Sequence, residues 1–229
     1  YEFVLPVTVR VPGEKALRTV RVPVTGRDAA AAFPLPAEPD MVVIDPELDV
    51  LAGMTIEQPA ARWLSQLADG PTPWSKVQAV RGLRSDTSVR TAERLRRLAL
   101  DTSQPVWLRI EAVKTLAARN AENDMRSLAT AVSDQWEVRL AVVEALPAFA
   151  RTEEGDPRPG FANTAAYLAD RAARDPSTRV RAGAIRGLGK IRSADHRKAV
   201  DAGLSVDSQD DALRQSALDA LVWWKESAS

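Results

Sequence analysis

The chain has 229 residues, no cysteine, and 31 basic against 31 acidic side chains, so its formal net charge is zero. This balance argues against capture of nucleic acid or an anionic membrane by the whole surface. The lack of cysteine excludes disulfides and thiolate metal ligands. No apolar run approaches the roughly 20 residues that cross a bilayer. We expect a soluble chain with no membrane span, and we favour the cytoplasm as its compartment.

Two stretches of alternating hydrophobicity open the chain. Apolar residues occupy every odd position from Phe3 to Val11, and a second alternating run extends from Val20 to Val24. A period of two is typical of half-buried β-strands. Pro12-Gly13 supplies a turn between the two runs. The sequence therefore predicts a β-hairpin at its start.

A third strand is predicted from the apolar run Met41–Ile44, which Asp45-Pro46 ends. An intact β-sandwich normally has about seven strands, and this segment supplies three or four. We expect residues 1–55 to be part of an Ig-like β-sandwich whose first strands lie upstream of Tyr1.

From residue 56 the hydrophobic period changes to about 3.6, and a motif recurs five times. It consists of a basic anchor, a small or β-branched residue three positions later, an aliphatic residue next to it, and Leu seven after the anchor. The anchors are Lys76, Arg109, Arg139, Arg181 and Arg214, which lie 33, 30, 42 and 33 residues apart. Such spacing is typical of a two-helix solenoid. We predict a HEAT-like α-α superhelix over residues 56–229, so the fold class is α+β and mainly α.

Each repeat should contain a first helix followed by the second helix that carries the motif. The predicted first helices are Ser88–Leu100, Ala121–Val132, Asn163–Arg174 and Asp195–Leu204. Asp, Ser or Thr precedes each second helix, at residues 101–103, 133–134, 175–177 and 207–208, and we interpret these residues as N-caps. The long step is explained by the insert Arg151–Gly160, which contains the acidic pair Glu153-Glu154 and is predicted to be a surface loop.

The anchoring residues are interpreted as structural. In HEAT-like stacks, an Arg near the start of the second helix commonly pairs with an Asp of a neighbouring turn. Trp107 and Trp136 lie two and three residues before their anchors, and they are expected to pack between repeats. Trp223-Trp224 cannot both face one side of a helix; we expect one in the core, while the other covers the end of the stack or meets another domain.

The order of these parts resembles the C-terminal portion of zinc aminopeptidases of the aminopeptidase N family. The resemblance rests on the segment Val42–Met54, on a Trp-containing helix ending at Gln66–Gly70, and on the repeats that follow. In that family a β-sandwich joins a catalytic domain to an α-superhelical domain. The sandwich tends to close with an aliphatic run, Asp-Pro and a Leu; the matching residues are Val43, Ile44, Asp45, Pro46 and Leu51.

The resemblance implies a non-catalytic module that flanks an active-site cleft and helps to bind or gate peptide substrate. Zinc is then expected in an upstream catalytic domain, with no cofactor in this chain. His196 is the only histidine, whereas a zinc peptidase needs two imidazoles on one helical face, a carboxylate ligand and a Glu that activates water. No catalytic or metal-binding residue is therefore assigned to the chain, and we interpret His196 as a solvent-facing residue at a helix start.

The strongest charge cluster lies in the fourth repeat. Arg179, Arg186 and Lys190 are spaced by seven and four residues, which places them on one face of a helix. This stripe is interpreted either as a solvated face or as a contact for a peptide carboxylate, acidic side chains or phosphate. A second basic cluster contains Arg90, Arg94, Arg96 and Arg97 and is offset by nearby acids.

Two further functions remain open at this point. The repeats could form a protein-interaction scaffold in a pseudo-peptidase, with another protein as partner. A HEAT domain that binds nucleic acid through Arg179, Arg186 and Lys190 is disfavoured, because basic clusters interleaved with aromatics on one surface are not evident in the sequence.

Overall fold

The computed structural model describes residues 2–14, 16–50, 53–132, 134–152 and 155–225. The chain divides into two compact units, residues 1–91 and residues 92–229. It is mainly helical, with a small sheet formed by its first strands. Across the described ranges, no helix is long and apolar enough to cross a membrane.

The first unit contains a three-stranded antiparallel sheet in the order β2-β1-β3. Its strands are β1 (Phe3–Arg10), β2 (Arg18–Val24) and β3 (Met41–Ile44). Val7 of β1 lies opposite Val20 on one side and Ile44 on the other, so the predicted hairpin is confirmed. The residues described for this unit form this one sheet, and the second sheet of an Ig-like sandwich is not among them.

Helices α1 (Ala60–Asp69) and α2 (Pro73–Gly82) complete the first unit with the first residues of α3 (Val89–Leu100). The Arg10 guanidinium in β1 bonds Asp40 at 2.9 Å and Asp69 at the end of α1 at 2.7 Å. Gln78 in α2 donates to the carbonyl of Ile44 at 2.8 Å. These contacts join the sheet to both helices. The predicted boundary near residue 55 stays a prediction, and the unit that contains the sheet extends to Thr91.

The second unit is a HEAT-like stack of helix pairs. First helices α5 (Glu122–Ala131), α7 (Phe161–Arg174) and α9 (Arg197–Gly203) alternate with second helices. The second helices are α4 (Val106–Ala118), α6 (Trp136–Ala145), α8 (Thr178–Ile191) and α10 (Ala212–Lys225). Consecutive second helices pack against each other, and α6, α8 and α10 each also pack against the first helix of their own pair. The predicted first helices are confirmed, with ends shifted by one to two residues.

The recurring apolar positions build the core of this stack. In α4, α6 and α8, the residues three, four and seven positions after the anchor are all buried, with at most 2% of their surface exposed. In α10 the first of these positions, Ala217, is buried, whereas the second, Leu218, is 46% exposed. The motif therefore predicts burial correctly inside the stack and incorrectly at its last helix.

The predicted N-caps of α4 and α6 are wrong, whereas that of α8 is correct in position, because Ser177 precedes the helix. The cap positions are occupied by Pro105, Gln135 and Ser177, and none of them makes a side-chain cap hydrogen bond. Asp101 and Asp175 instead accept hydrogen bonds from the backbone of Ser103 at 3.0 Å and Ser177 at 2.9 Å. They shape the turns before the helices because they stand too far upstream to reach the first helical amides. Ser133 lies outside the described residues.

The insert between repeats is tied to the stack through Arg151. Its Nε donates to the carbonyl of Ile191 at 2.6 Å, and its guanidinium lies over the Phe161 ring, 4.9 Å from the centroid. Arg151 also forms an isolated β-bridge with Pro157. The acidic pair Glu153-Glu154 lies outside the described residues. The described part of the insert is therefore a loop that contacts the end of α8.

Candidate functional site

The anchor of α4 links two consecutive turns of the stack. Arg109 is 1% exposed, and its Nε donates to the carbonyl of Ala99 in α3 at 2.9 Å. Its two terminal nitrogens bind both carboxylate oxygens of Asp134, one at 2.9 Å. The guanidinium thus satisfies a carbonyl near the end of one helix and forms a bidentate ion pair with the turn before the next second helix.

The anchor of α6 makes the same link one repeat later. Arg139 binds Asp175 in a bidentate pair at 2.9 and 3.0 Å and also donates to the carbonyl of Asp134 at 2.6 Å. The Asp175 side chain is fully buried and that of Arg139 is 7% exposed. A buried pair of this kind depends on both partners, because removing one leaves an uncompensated charge.

The remaining anchors do not continue this series of ion pairs. Arg181 donates to the carbonyl of Ala172 at 3.0 Å. Arg214 donates to the carbonyl of Leu204 at 3.3 Å and has an exposed neighbour, Asp211, at 3.3 Å. Within the described ranges, neither Lys76 nor Arg181 forms an ion pair. Donation from Nε to the end of the preceding first helix is thus shared by Arg109, Arg181 and Arg214, a role that the sequence interpretation missed.

The ion pairs shift the acidity of their carboxyl groups. Hydrogen bonding from Arg109 lowers the pKa of Asp134 to about 2. Burial by itself would raise the pKa of Asp175, but hydrogen bonds from Arg139 and the Ser177 amide outweigh it and the pKa falls below its ordinary value. Both carboxylates are therefore held ionised by architectural contacts, which is the opposite of the raised pKa that a general acid needs.

The three predicted stripe residues lie on α8, where two of them rest on tryptophan rings. The Arg179 guanidinium lies 5.0 Å from the centroid of Trp136 in α6, and the Lys190 ammonium lies 5.7 Å from that of Trp223 in α10. Between them, Arg186 donates to the Ser216 hydroxyl at 2.9 Å and to the Glu144 carboxylate at 3.3 Å. We call Arg179, Arg186, Lys190, Trp136 and Trp223 the α8 surface.

The charges on the α8 surface differ in their pairing. Glu144 neutralises Arg186 in an ion pair whose partners are 34% and 52% exposed. Arg179 and Lys190 are exposed, and neither has a carboxylate partner among the described residues. The surface thus presents two unneutralised cations on either side of a neutral pair. This arrangement suits binding of negative groups.

The second basic cluster is partly neutralised on α3. Arg96 lies 3.5 Å from Asp124, and Arg97 lies 3.7 Å from Glu93. Arg90 and Arg94 are exposed. No tryptophan, tyrosine or phenylalanine lies under these four guanidinium groups in the described ranges.

The predicted packing role of the tryptophans is confirmed for Trp136 and Trp224 and wrong for Trp107. Trp107 is 44% exposed on α4, so its expected burial between repeats is wrong. Trp136 packs against the core of the stack while carrying Arg179 on its ring. Trp224 packs against the same core and carries Arg197 at 5.2 Å. Of the two C-terminal tryptophans, Trp224 is the one that contacts the core, and Trp223 belongs to the α8 surface.

The remaining candidates for chemistry have structural roles. His196 is half-buried, and its Nδ1 lies 2.8 Å from the Ser193 hydroxyl, so the predicted solvent-facing position is only partly correct. No group of three or more His, Cys, Asp or Glu side chains in the described ranges is arranged to hold a metal ion.

A cavity of about 440 Å³ in the first unit adjoins the Asp45-Pro46 segment, with Trp63, Trp74 and Arg81 in its lining. Asp45 is buried and has a φ of 48°, a left-handed conformation that Asp tolerates better than most residues. Its carboxylate accepts from the amides of Asp49 at 2.8 Å and Val50 at 3.1 Å. Asp45 is therefore occupied in shaping the loop, and the cavity gains no free carboxylate from it.

Comparisons with known proteins give little further guidance. No family model matches the chain, and no curated protein matches it. A solved structure of the complex of CpcE and CpcF of phycocyanin lyase from Nostoc sp. PCC7120 is similar to 76% of this chain and 79% of the matched chain. The sequence identity is 15% and the TM-score is 0.40.

The resemblance to aminopeptidase N is wrong. The solved structure reported above comes from a lyase complex and not from an aminopeptidase, and no family model or curated protein links the chain to metallopeptidases or other hydrolases. The aliphatic run with Asp-Pro that suggested the family forms a strand and a local turn in this chain. The expected zinc in an upstream domain and the peptide substrate stay predictions.

One feature of the α8 surface was accessible from the sequence. Lys190 and Trp223 each stand nine residues after their anchors, Arg181 and Arg214. Equivalent positions of adjacent second helices are neighbours in a regular stack, so this cation-aromatic contact follows from the repeat register. The contact between Arg179 and Trp136 joins positions that differ by one residue in register and depends on how the two helices pack.

Proposed function

We propose that the chain is a protein-interaction scaffold whose α8 surface binds an acidic segment of a partner protein. The observation that carries the proposal is the placement of Arg179 and Lys190 on tryptophan rings without a carboxylate partner in the described ranges. Elsewhere in the second unit, Arg109 and Arg139 form ion pairs with Asp134 and Asp175 within the stack.

The tryptophan rings prepare the two cations for binding. A cation over an aromatic ring is attracted by the quadrupole of the ring, and this contact restricts the long side chain before a ligand arrives. Less side-chain entropy is then lost when a carboxylate binds. The rings of Trp136 and Trp223 also offer apolar area beside each charge. Cation and ring together favour a polypeptide segment with both acidic and apolar side chains.

The spacing of the cations defines the ligand further. Arg179 and Lys190 are 11 residues apart on α8, which corresponds to about 16 Å along a helix. An extended segment advances about 3.3 Å per residue, so acidic residues five positions apart would reach both cations. The neutral pair of Arg186 and Glu144 lies between them and suits uncharged residues in the middle of the segment.

The test uses a fluorescent extended peptide with acidic residues at positions 1 and 6 in an otherwise neutral sequence, titrated with the full chain. The substitution pair R179Q/K190Q should weaken binding by about tenfold or more, since charge-assisted contacts are lost at both ends. The control pair R90Q/R94Q removes the same charge from α3 and should change affinity less than twofold. A matched peptide with amides in place of the acids should bind at least tenfold more weakly.

Three results would count against the proposal. Equal weakening by the two substitution pairs would show that only overall charge matters. Absence of peptide binding to the unmodified chain would remove the site. Tighter, strongly salt-dependent binding of a DNA duplex, lost in R179Q/K190Q, would assign the α8 surface to nucleic acid instead.

A further inference from the structure

The last second helix leaves an apolar face uncovered. In α10, Leu218 is 46% exposed and Val222 is 52% exposed, whereas Leu213, Ala217 and Ala220 on the opposite side are fully buried. The anchor Arg214 borders the uncovered residues, and its side chain is 48% exposed. We call Arg214, Leu218 and Val222 the terminal face.

The repeat register shows what this kind of face does elsewhere in the stack. Leu218 stands four residues after its anchor, and the residues at the same position in the earlier second helices are Val113, Val143 and Ile185. Those three are at most 1% exposed. Leu218 thus has the residue type and the register position of an internal repeat, but no described residue covers it to the same extent.

The internal contacts also show what kind of surface covers this position. Gly183 of α8 packs on α6 so closely that a β-carbon there would lie 2.7 Å from Leu140 and 3.5 Å from Val143. Gly203 of α9 packs likewise on α8, where a β-carbon would lie 2.9 Å from Ile185. In both of these interfaces an aliphatic residue of a second helix, Val143 or Ile185, is therefore covered by a glycine of the following helix pair. Such complementarity lets the two backbones approach closely.

The anchors supply the polar half of the same interface. Arg109 pairs with Asp134 and Arg139 pairs with Asp175, and each Asp belongs to the turn before the next second helix. Arg214 donates to the carbonyl of Leu204, and its one carboxylate partner among the described residues is the exposed Asp211 of its own turn, at 3.3 Å. Its guanidinium lies at the edge of the terminal face, where an incoming turn could supply a second carboxylate.

We infer that the terminal face binds a helical hairpin of another protein, which stacks on α10 as a further repeat. Continuity with the internal interfaces defines the partner: small residues opposite Leu218 and Val222, and an Asp in the turn before its second helix, opposite Arg214. A second copy of α10 fits poorly, because its own exposed face carries Leu218 and Val222 rather than glycine or alanine. This surface is separate from the α8 surface.

The probe for this inference is a synthetic hairpin with the sequence of residues 161–192, which contains α7 and α8. Inside the chain this segment covers α6 with Gly183 and supplies Asp175 to Arg139. The full chain is titrated with the labelled probe, and binding is followed by anisotropy and by the gain in helical circular dichroism. L218E and V222E should each weaken binding by about tenfold or more, as expected for an anchor of an interface.

A matched control is V89E, because Val89 is an exposed apolar residue on α3. It should bind the probe as the unmodified chain does. R214Q in the chain and Asp175→Asn in the probe should each weaken binding. When both are present, the loss of affinity should be smaller than the product of the two separate fold-losses, because the two side chains form one pair. Circular dichroism of L218E and V222E checks that both remain folded.

Each alternative result overturns the inference. No binding of the probe removes the docking site, and equal affinity for L218E and V89E moves it away from the terminal face. Self-association of the unmodified chain in sedimentation equilibrium, lost in L218E, would assign the face to a second copy. Since L218E leaves Arg179 and Lys190 in place, binding of the acidic peptide should be unchanged, so failure here is distinguishable from failure of the proposed function.

Discussion

Helices α8 and α10 occupy equivalent places in successive repeats, but equivalent residues of the two helices differ in solvent exposure. Four residues after the anchor, Ile185 in α8 is 1% exposed and Leu218 in α10 is 46% exposed. Eight residues after the anchor, Gly189 contacts α10 so closely that a β-carbon would lie 2.5 Å from Ala220, whereas Val222 is 52% exposed. The same sequence position is core in one helix and surface in the other.

The motif therefore specifies a helix with two apolar sides, one for each neighbour in the stack. In α8 both sides are used, against α6 and against α10. In α10 the side that faces α8 is buried and the other forms the terminal face. Since each repeat interacts mainly with its neighbours, substitutions at equivalent positions should have unequal effects, and that inequality can be measured.

The largest inequality is expected between two turn aspartates. Asp175 is buried against Arg139, so D175A leaves the guanidinium without its carboxylate and should lower the free energy of unfolding by about 3–5 kcal/mol. Asp207 occupies the corresponding turn of the last repeat and is exposed. D207A should change stability by about 0.5 kcal/mol or less. Urea unfolding followed by circular dichroism measures both, and similar losses would show that the two turns are equivalent after all.

Truncation of the aliphatic residue at the fourth position should separate α8 from α10 directly. I185A creates a cavity in the core and should cost about 2–5 kcal/mol. L218A removes a side chain that is half in solvent and should cost about 0.5 kcal/mol. The same urea titrations apply. A loss for L218A as large as that for I185A would mean that the terminal face is covered in solution.

The eighth position offers a smaller test with the opposite change in size. G189A adds a methyl group that meets Ala220 at 2.5 Å. Overpacking costs about 1–3 kcal/mol, while alanine improves helix propensity by about 1 kcal/mol, so a net destabilisation is expected. V222A should lie within about 0.5 kcal/mol of the unmodified chain. Stabilisation by G189A would show that α8 and α10 can separate without cost.

The sequence predicted those features that depend on local periodicity. Val7 and Val9 alternate with Thr8 and Arg10 and lie in a strand, and Ala184, Ile185 and Leu188 recur at helical spacing and lie in the core. The stripe of Arg179, Arg186 and Lys190 on one face of α8 also follows from spacing. Predictions of this kind depend only on the position of a residue within its own helix or strand.

Features that depend on a second element were not accessible in the same way. Leu218 has the residue type of a core position, and only the absence of a covering helix among the described residues makes it surface. Asp175 resembles an N-cap in sequence, but its partner is Arg139, 36 residues away. Asp45-Pro46 suggested a family relationship, whereas its carboxylate serves a local loop. In each case the role was predicted from neighbouring sequence or from a family resemblance, whereas the contacts of the residue in the folded chain determine it.

Acid stability offers a further comparison between the internal and terminal turns. Asp134 has a pKa of about 2 in the folded chain because Arg109 binds its carboxylate, against an ordinary value of 3.8. As the pH falls through this interval, the unfolded chain takes up the proton first, so the stabilisation present above pH 4 is progressively lost by pH 2.

D134N should therefore be less stable than the unmodified chain at pH 6, and the difference between their melting temperatures should shrink as the pH approaches 2. The matched substitution D207N removes a carboxylate from the exposed turn residue Asp207, and it serves as the control for the loss of one negative charge. Asp134 and Asp207 stand in corresponding turns of an internal and a terminal repeat. If the difference in melting temperature between D134N and the unmodified chain did not change with pH, the ion pair would not be what distinguishes the two turns.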